Sequence, residues 1–204
     1  MKFIGITGGV GAGKSAILHY IEQEYSAKVL LADELAHTLM QPGTECFDEI
    51  VDTFGTEDIF TPDGALDSLK MAQVIFQDAG KRECMNGIVH PAVKREILRQ
   101  VEEERKKQQI SYFILEAALL IEDGYDKICD ELWYIYTSRE NRRVRLKESR
   151  GYSAEKIDAI FNSQLSEETY RKYCKLVIDN NGTLEETFRQ IRQAFAGERE
   201  EVTC

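Results

Sequence analysis

The segment GITGGVGAGKSAIL, residues 5–18, places five glycines in nine positions and follows them with a lysine, a serine and an apolar run. Glycine forfeits more chain entropy on folding than any other residue and buries no side chain, so packing does not account for the cluster. Before it, Phe3-Ile4-Gly5-Ile6-Thr7 is short and rich in β-branched residues, as a buried strand is; after it, Ile17, Leu18 and Ile21 recur at helical spacing. The glycines therefore make the turn from a strand into a helix. Gly8 to Ser15 fits G-x-x-x-x-G-K-[ST], a phosphate-binding loop whose bare amides, that of Gly9 included, and helix amino terminus face phosphate oxygens. Lys14 is expected to meet the β- and γ-phosphates of a nucleoside triphosphate, and the Ser15 hydroxyl to help hold Mg²⁺.

A looser pattern overlaps the first. Gly11-Ala12-Gly13-Lys14-Ser15-Ala16 also satisfies the dinucleotide fingerprint G-x-G-x-x-G/A, and Asp33 follows about 20 residues on, where an acid would bind a ribose. The longer match, with a lysine placed for terminal phosphates, favours a triphosphate.

At 204 residues the chain is expected to form one domain, with a helical insert at about 34–110 and a lid at about 138–173. No apolar run approaches the ~20 residues of a membrane span, and the first strand leads into the glycine loop rather than a cleavage site. A cytoplasmic protein, with no membrane partner, is the expectation. Cys46, Cys84, Cys129, Cys174 and Cys204 are odd in number and widely spaced, which reads as reduced thiols rather than disulfides or a zinc site. The net charge of −10 argues against a nucleic-acid partner, although local cations can still dominate a nucleotide cleft. Nothing in the sequence speaks to oligomeric state.

Further strands are expected at Lys28–Ala32, Tyr112–Leu115, Leu132–Tyr136 and Leu176–Ile178, with helical patterns between them, so the sheet should be parallel. Polar residues end each run: Thr7, Asp33, Glu116, Thr137-Ser138 and Asp179-Asn180-Asn181. Ligands of open α/β sheets bind beyond such carboxyl ends. The long interval before the third strand, with Val93, Ile97, Leu98 and Val101 in helical register, reads as the helical insert; EEERKKQQ at 102–109 reads as a solvated helix end. Ser166 and the capping box Thr183-Leu-Glu-Glu186 mark helix starts, and GEREEVTC at 197–204 reads as a frayed end.

Phosphoryl transfer needs a phosphate cradle, a metal, a carboxylate near the attacking oxygen and cations over the transferred group. Asp33, at a strand tip, is expected to take the proton of an acceptor hydroxyl; aspartate is also a common N-cap, and would serve a helix starting at Glu34. Glu116 is either a water-mediated Mg²⁺ contact or an acidic strand cap. TSRENRRVRLKESRGYS, residues 137–153, holds five arginines on a helix whose apolar side, Val144 and Leu146, is thin. That composition suits a lid over triphosphate, with Arg145 and then Arg142 as phosphate contacts, although charges on one helix also make a solvated face. His90, before Pro91, is either a substrate contact or a capping residue at a turn.

Taken in order, GITGGVGAGKS, LADELAHTLMQPG from Leu31, FGTEDIFTPDGALD from Phe54, IVHPAV from Ile88, ALLIEDG from Ala118 and LVIDNNG from Leu176 resemble the bacterial dephospho-coenzyme A kinases over nearly the whole chain. The resemblance implies an α/β fold of the P-loop NTPase type, three layers around a five-stranded parallel sheet, with a helical substrate-binding insert and a helical lid. It implies ATP-dependent phosphorylation of the ribose 3′-hydroxyl of dephospho-CoA, the last step of coenzyme A synthesis. By motif, Gly11, Ala12, Gly13, Lys14, Ser15 and Ala16 would bind ATP, Asp33 would be the base and Arg145 the lid arginine. Four positions depart from the pattern: Leu31 stands for an acid, Ala16 for threonine, and Ser68 and Ile160 for arginines. Other readings of the same residues are a nucleoside or nucleotide kinase, with a different acceptor pocket, and a nucleotide-dependent switch, for which no N-K-x-D motif is present.

Overall fold

The computed structural model describes residues 1–201, with side chains to Gly197. The chain falls into two compact units, one made of residues 1–30 and the segment from Gln108 onward, the other of Leu31–Lys107.

The first unit is built on a parallel sheet. Strands β1 (Lys2–Thr7), β2 (Ala27–Leu31), β3 (Tyr112–Glu116), β4 (Glu131–Tyr136) and β5 (Leu176–Asp179) lie in the order β2-β3-β1-β4-β5. Strand β1 is central because Phe3, Ile4 and Ile6 are fully buried and suited to cover on both faces. Its register sets Ile6 beside Glu116 on β3 and Thr7 beside Tyr134 on β4. Helix α1 (Lys14–Glu24) buries Ile17, Leu18 and Ile21, as their spacing requires. The last helix, α9 (Leu184–Glu201), docks through Phe195, whose ring lies 4.2, 4.4 and 4.9 Å from those of Tyr25, Tyr112 and Trp133. The capping box at its start forms as expected: Thr183 N–H donates to Glu186 Oε2 at 2.8 Å, and Glu186 N–H to Thr183 Oγ1 at 3.3 Å. Residues 197–201, expected to fray, continue this helix; Val202, Thr203 and Cys204 lie outside the described residues.

Between β4 and β5 come α6 (Arg139–Arg150), α7 (Ala154–Asn162) and α8 (Glu167–Tyr173), capped by Ser138, Ser153 and Ser166. The apolar side of α6 is as thin as expected. Val144 is exposed, but Leu146 packs with Ile157 and Phe161 of α7 into a small core joined by Val10, Tyr152 and Ile160. Ile160, which stands where the resembled family commonly has arginine, is part of that packing.

The second unit is helical: α2 (Ala32–Leu39), α3 (Glu45–Phe54) and α4 (Ser68–Gln77) all pack on the long α5 (Ala79–Lys107). Met85, Ile88, Val89, Ala92, Val93, Ile97 and Val101 form the buried stripe of α5. Pro91 sits inside this helix rather than at a turn, and it is exposed, on the side away from the stripe. Its missing N–H leaves the Gly87 carbonyl without the helical donor. Ser68 begins α4, whose N-cap Asp67 accepts from the amides of Leu69 and Lys70 at 3.0 and 3.1 Å. The charged end of α5 is exposed apart from Glu104, which is buried; Glu104 pairs with Lys107 at 3.0 Å and Glu102 with Arg105 at 2.8 Å.

Cys46, Cys84, Cys129 and Cys174 are free thiols, and burial pushes Cys129 and Cys174 up to about 12. Among the described residues no helix is long and apolar enough to cross a membrane.

At the amino ends of the strands, the buried Glu131 carboxylate holds three elements together. It meets Lys2 and Lys175 at 2.9 Å each and accepts from Trp133 Nε1 at 2.5 Å. Replacing it by leucine takes this acceptor from the buried indole N–H. Glu131→Leu is expected to lower unfolding free energy by about 2 kcal/mol, read from the shift of the urea midpoint.

Candidate active site

Between Thr7 and Lys14 the backbone turns through Gly11 at φ 84° and Gly13 at φ 88°, left-handed values that side chains disfavour. Gly13 is the N-cap of α1 and supplies no capping side chain, so the first amides of the helix are left to a ligand. The loop carbonyls are engaged instead. Gly8 O accepts from Lys14 Nζ at 2.7 Å, Gly9 O from Ala12 N–H at 3.0 Å and Val10 O from Arg142 Nε at 2.8 Å. Glu116 Oε1, brought to the loop by the β1–β3 register, lies 3.3 Å from Lys14 Nζ. The sequence placed Glu116 at a strand end but not against Lys14. Ser15 and Ala16 follow, exposed in the first turn of α1.

Arg142, expected at phosphate, is buried with its guanidinium 4.4 Å from the Phe161 ring centroid, and also donates to Gln164. Burial pulls its pKa below the ordinary arginine value. The guanidinium remains the cation at neutral pH. A Cβ on Gly9 would run into this guanidinium, so the glycine lets Arg142 lie on the loop. Arg145 is half-buried; its Nη1 donates to Ala12 O at 3.2 Å and its Nη2 to Asn180 O at 2.7 Å.

Ala12 O is met by two more donors, Asn180 Nδ2 at 2.7 Å and Thr137 Oγ1 at 3.0 Å. Asn180, Thr137 and Thr187 are buried polar residues that the sequence reading did not single out. Its only signal for the first two was the polar letters after β4 and β5.

The structure therefore brings Gly9, Gly11, Ala12, Gly13 and Lys14 together with Arg142 and Arg145. Asp33 and His90 belong to the helical unit. Strand β2 ends at Leu31, which is itself the N-cap of α2 with no side-chain cap bond; Asp33 is exposed in the first turn of the helix. The expected N-cap role for Asp33 is corrected accordingly. His90 is half-buried in the middle of α5, so it caps no turn.

A glycine nest feeding a helix through Lys14, a parallel sheet in the order 2-3-1-4-5 and an arginine-bearing helix laid on the nest define a P-loop kinase. The family model described as Dephospho-CoA kinase matches residues 2–186, and the chain belongs to that family. A dephospho-CoA kinase of Symbiobacterium thermophilum is 36% identical over 96% of this chain and 80% of its own length. The crystal structure of TT1252 from Thermus thermophilus is similar with a TM-score of 0.78 and 28% identity, covering 96% of this chain and 97% of that one. The dephospho-CoA kinase of Campylobacter jejuni shares the fold, with a TM-score of 0.71 at 20% identity over 97% of this chain and all of its own.

Gly13 tests the nest directly. A Cβ there would lie 2.5 Å from Asn180 Nδ2, on a residue already at φ 88°. Gly13→Ala is expected to weaken ADP binding by roughly tenfold or more, measured by titration calorimetry.

Proposed function

We propose that the chain transfers the γ-phosphoryl group of ATP to the ribose 3′-hydroxyl of dephospho-CoA, giving coenzyme A and ADP. The observation that carries this reading is the Lys14-bearing nest in a chain whose residues 2–186 match the dephospho-CoA kinase family. That membership makes the chain a kinase acting on a hydroxyl in CoA biosynthesis, and disfavours the nucleoside kinase reading.

In this reading the amides of Gly9, Gly11, Gly13 and Lys14 cradle the phosphates, and Ala12, Ser15 and Ala16 complete the ATP-binding run. Lys14 exchanges Glu116 for the β- and γ-phosphates, a replacement of one anion by another of higher charge. The acceptor oxygen forms its bond to phosphorus as the bond to the β–γ bridging oxygen breaks, ADP leaves, and Asp33 takes the hydroxyl proton. Arg145 and Arg142 balance the charge spread over the transferred group, and His90 binds substrate from α5. The exposed Ser15 hydroxyl at the start of α1 suits Mg²⁺, which takes one or two protein oxygens and completes its shell with phosphates and water; bound there it would neutralise phosphate charge. The free thiols suit a reducing, cytoplasmic setting.

Purified protein with ATP and Mg²⁺ should release ADP with dephospho-CoA but not with adenosine or shikimate; turnover of adenosine alone would overturn the acceptor. Lys14→Ala is expected to reduce kcat/KM for ATP by about 10²-fold or more. Asp33→Asn should lower kcat by roughly 10²–10⁴-fold with ADP affinity nearly unchanged, and near-normal turnover would remove Asp33 from the role of base.

A further inference from the structure

We infer that Asn180, oriented by Thr187, is a positioning residue for the triphosphate, acting through the Ala12–Gly13 peptide; this rests on the kinase reading above. A trans peptide is planar, with its C=O and N–H pointing in opposite directions. Whatever holds the Ala12 carbonyl therefore also aims the Gly13 amide. Asn180 Nδ2 donates to that carbonyl at 2.7 Å from a side chain that is 2% exposed. With the oxygen pinned on the protein side, the Gly13 N–H is directed into the nest, and the negative end of the peptide dipole is kept from the phosphates.

Thr187 makes the grip directional. Its fully buried hydroxyl lies 2.9 Å from Asn180 Oδ1, nearer than its contacts of 3.3 and 3.2 Å with Asp179 O and Thr183 O. Donating there fixes which end of the Asn180 amide faces Ala12. A flipped amide would set oxygen against oxygen. The missing side chain at Gly13 opens the path, since a Cβ would come within 2.5 Å of Asn180 Nδ2.

The other two donors to Ala12 O are less committed. Thr137 Oγ1 also has Asn180 O within 3.3 Å, and Arg145 sits on α6, from which the proposed reaction draws it toward phosphate. Asn180 is tied instead to the end of the sheet, its backbone N–H donating to Tyr136 O at 2.8 Å. When Arg145 turns to the nucleotide, Asn180 still holds the loop.

The test measures ADP binding by calorimetry, the separate KM values for ATP and dephospho-CoA, and the Gly13 amide proton by NMR. Thr187→Val, nearly isosteric, is expected to weaken ADP and raise KM for ATP by about tenfold while KM for dephospho-CoA stays put. Thr187→Ser, which keeps the hydroxyl, should restore both. Asn180→Asp should do at least as much damage as Thr187→Val, and the downfield shift of the Gly13 amide on adding ADP should shrink in both. Thr187→Val alone carries the test if a buried aspartate prevents folding. Wild-type affinity for ADP in Thr187→Val, or equal rises in both KM values, overturns the inference. Failure of the wild-type protein to bind ADP overturns the kinase reading, and this inference with it.

Discussion

Amides that are to grip an anion must be left without partners inside the protein, which runs against the general rule that backbone polar groups pair when they are withdrawn from water. A loop of this kind has to be held from outside, and here the hold is on its carbonyls. Lys14 takes Gly8 O, Arg142 takes Val10 O, and Asn180, Thr137 and Arg145 converge on Ala12 O. Each grip turns an oxygen outward and leaves the opposite edge of that peptide facing in. Three of the gripping groups are cations, so the same contacts that shape the cradle also raise its potential for a polyanion.

The sheet fixes the loop and part of what grips it. β1 delivers the loop, β3 delivers Glu116 to Lys14, and the ends of β4 and β5 deliver Thr137 and Asn180. The arginines arrive from α6, whose Leu146 is locked into the core shared with α7 and Val10. Helix and loop are thus packed together as well as hydrogen-bonded, and α6 is better anchored than its charge would suggest. The exposed arginine face and the buried one coexist on one helix because its faces meet different surroundings.

Local chemistry made much of this legible. Glycine spacing marked the loop, apolar runs marked the strands to within a residue or two, and Thr183 with Glu186 marked the start of α9. What escaped depends on partners far away in sequence. The Asn180–Ala12 bond joins residues 168 apart, and no local pattern encodes it. Arg142 stood out in the sequence as a cation for phosphate, and nothing nearby announced its contacts with Phe161 and Gln164. Asp33 read as a cap because aspartate often is one, yet the chain enters α2 two residues earlier, directly from β2. Pro91 read as a turn because proline usually breaks helices; the apolar stripe on the opposite side of α5 outweighed one lost hydrogen bond.

The buried sulfurs carry a consequence for how the molecule can be watched. Burial pushes Cys129 and Cys174 up to about 12, and the thiolate is the form that attacks an alkylating reagent. Cys84, by contrast, is exposed. Labelling of the other two would follow the breathing of the sheet's surroundings, so these native sulfurs amount to a built-in gauge of core opening.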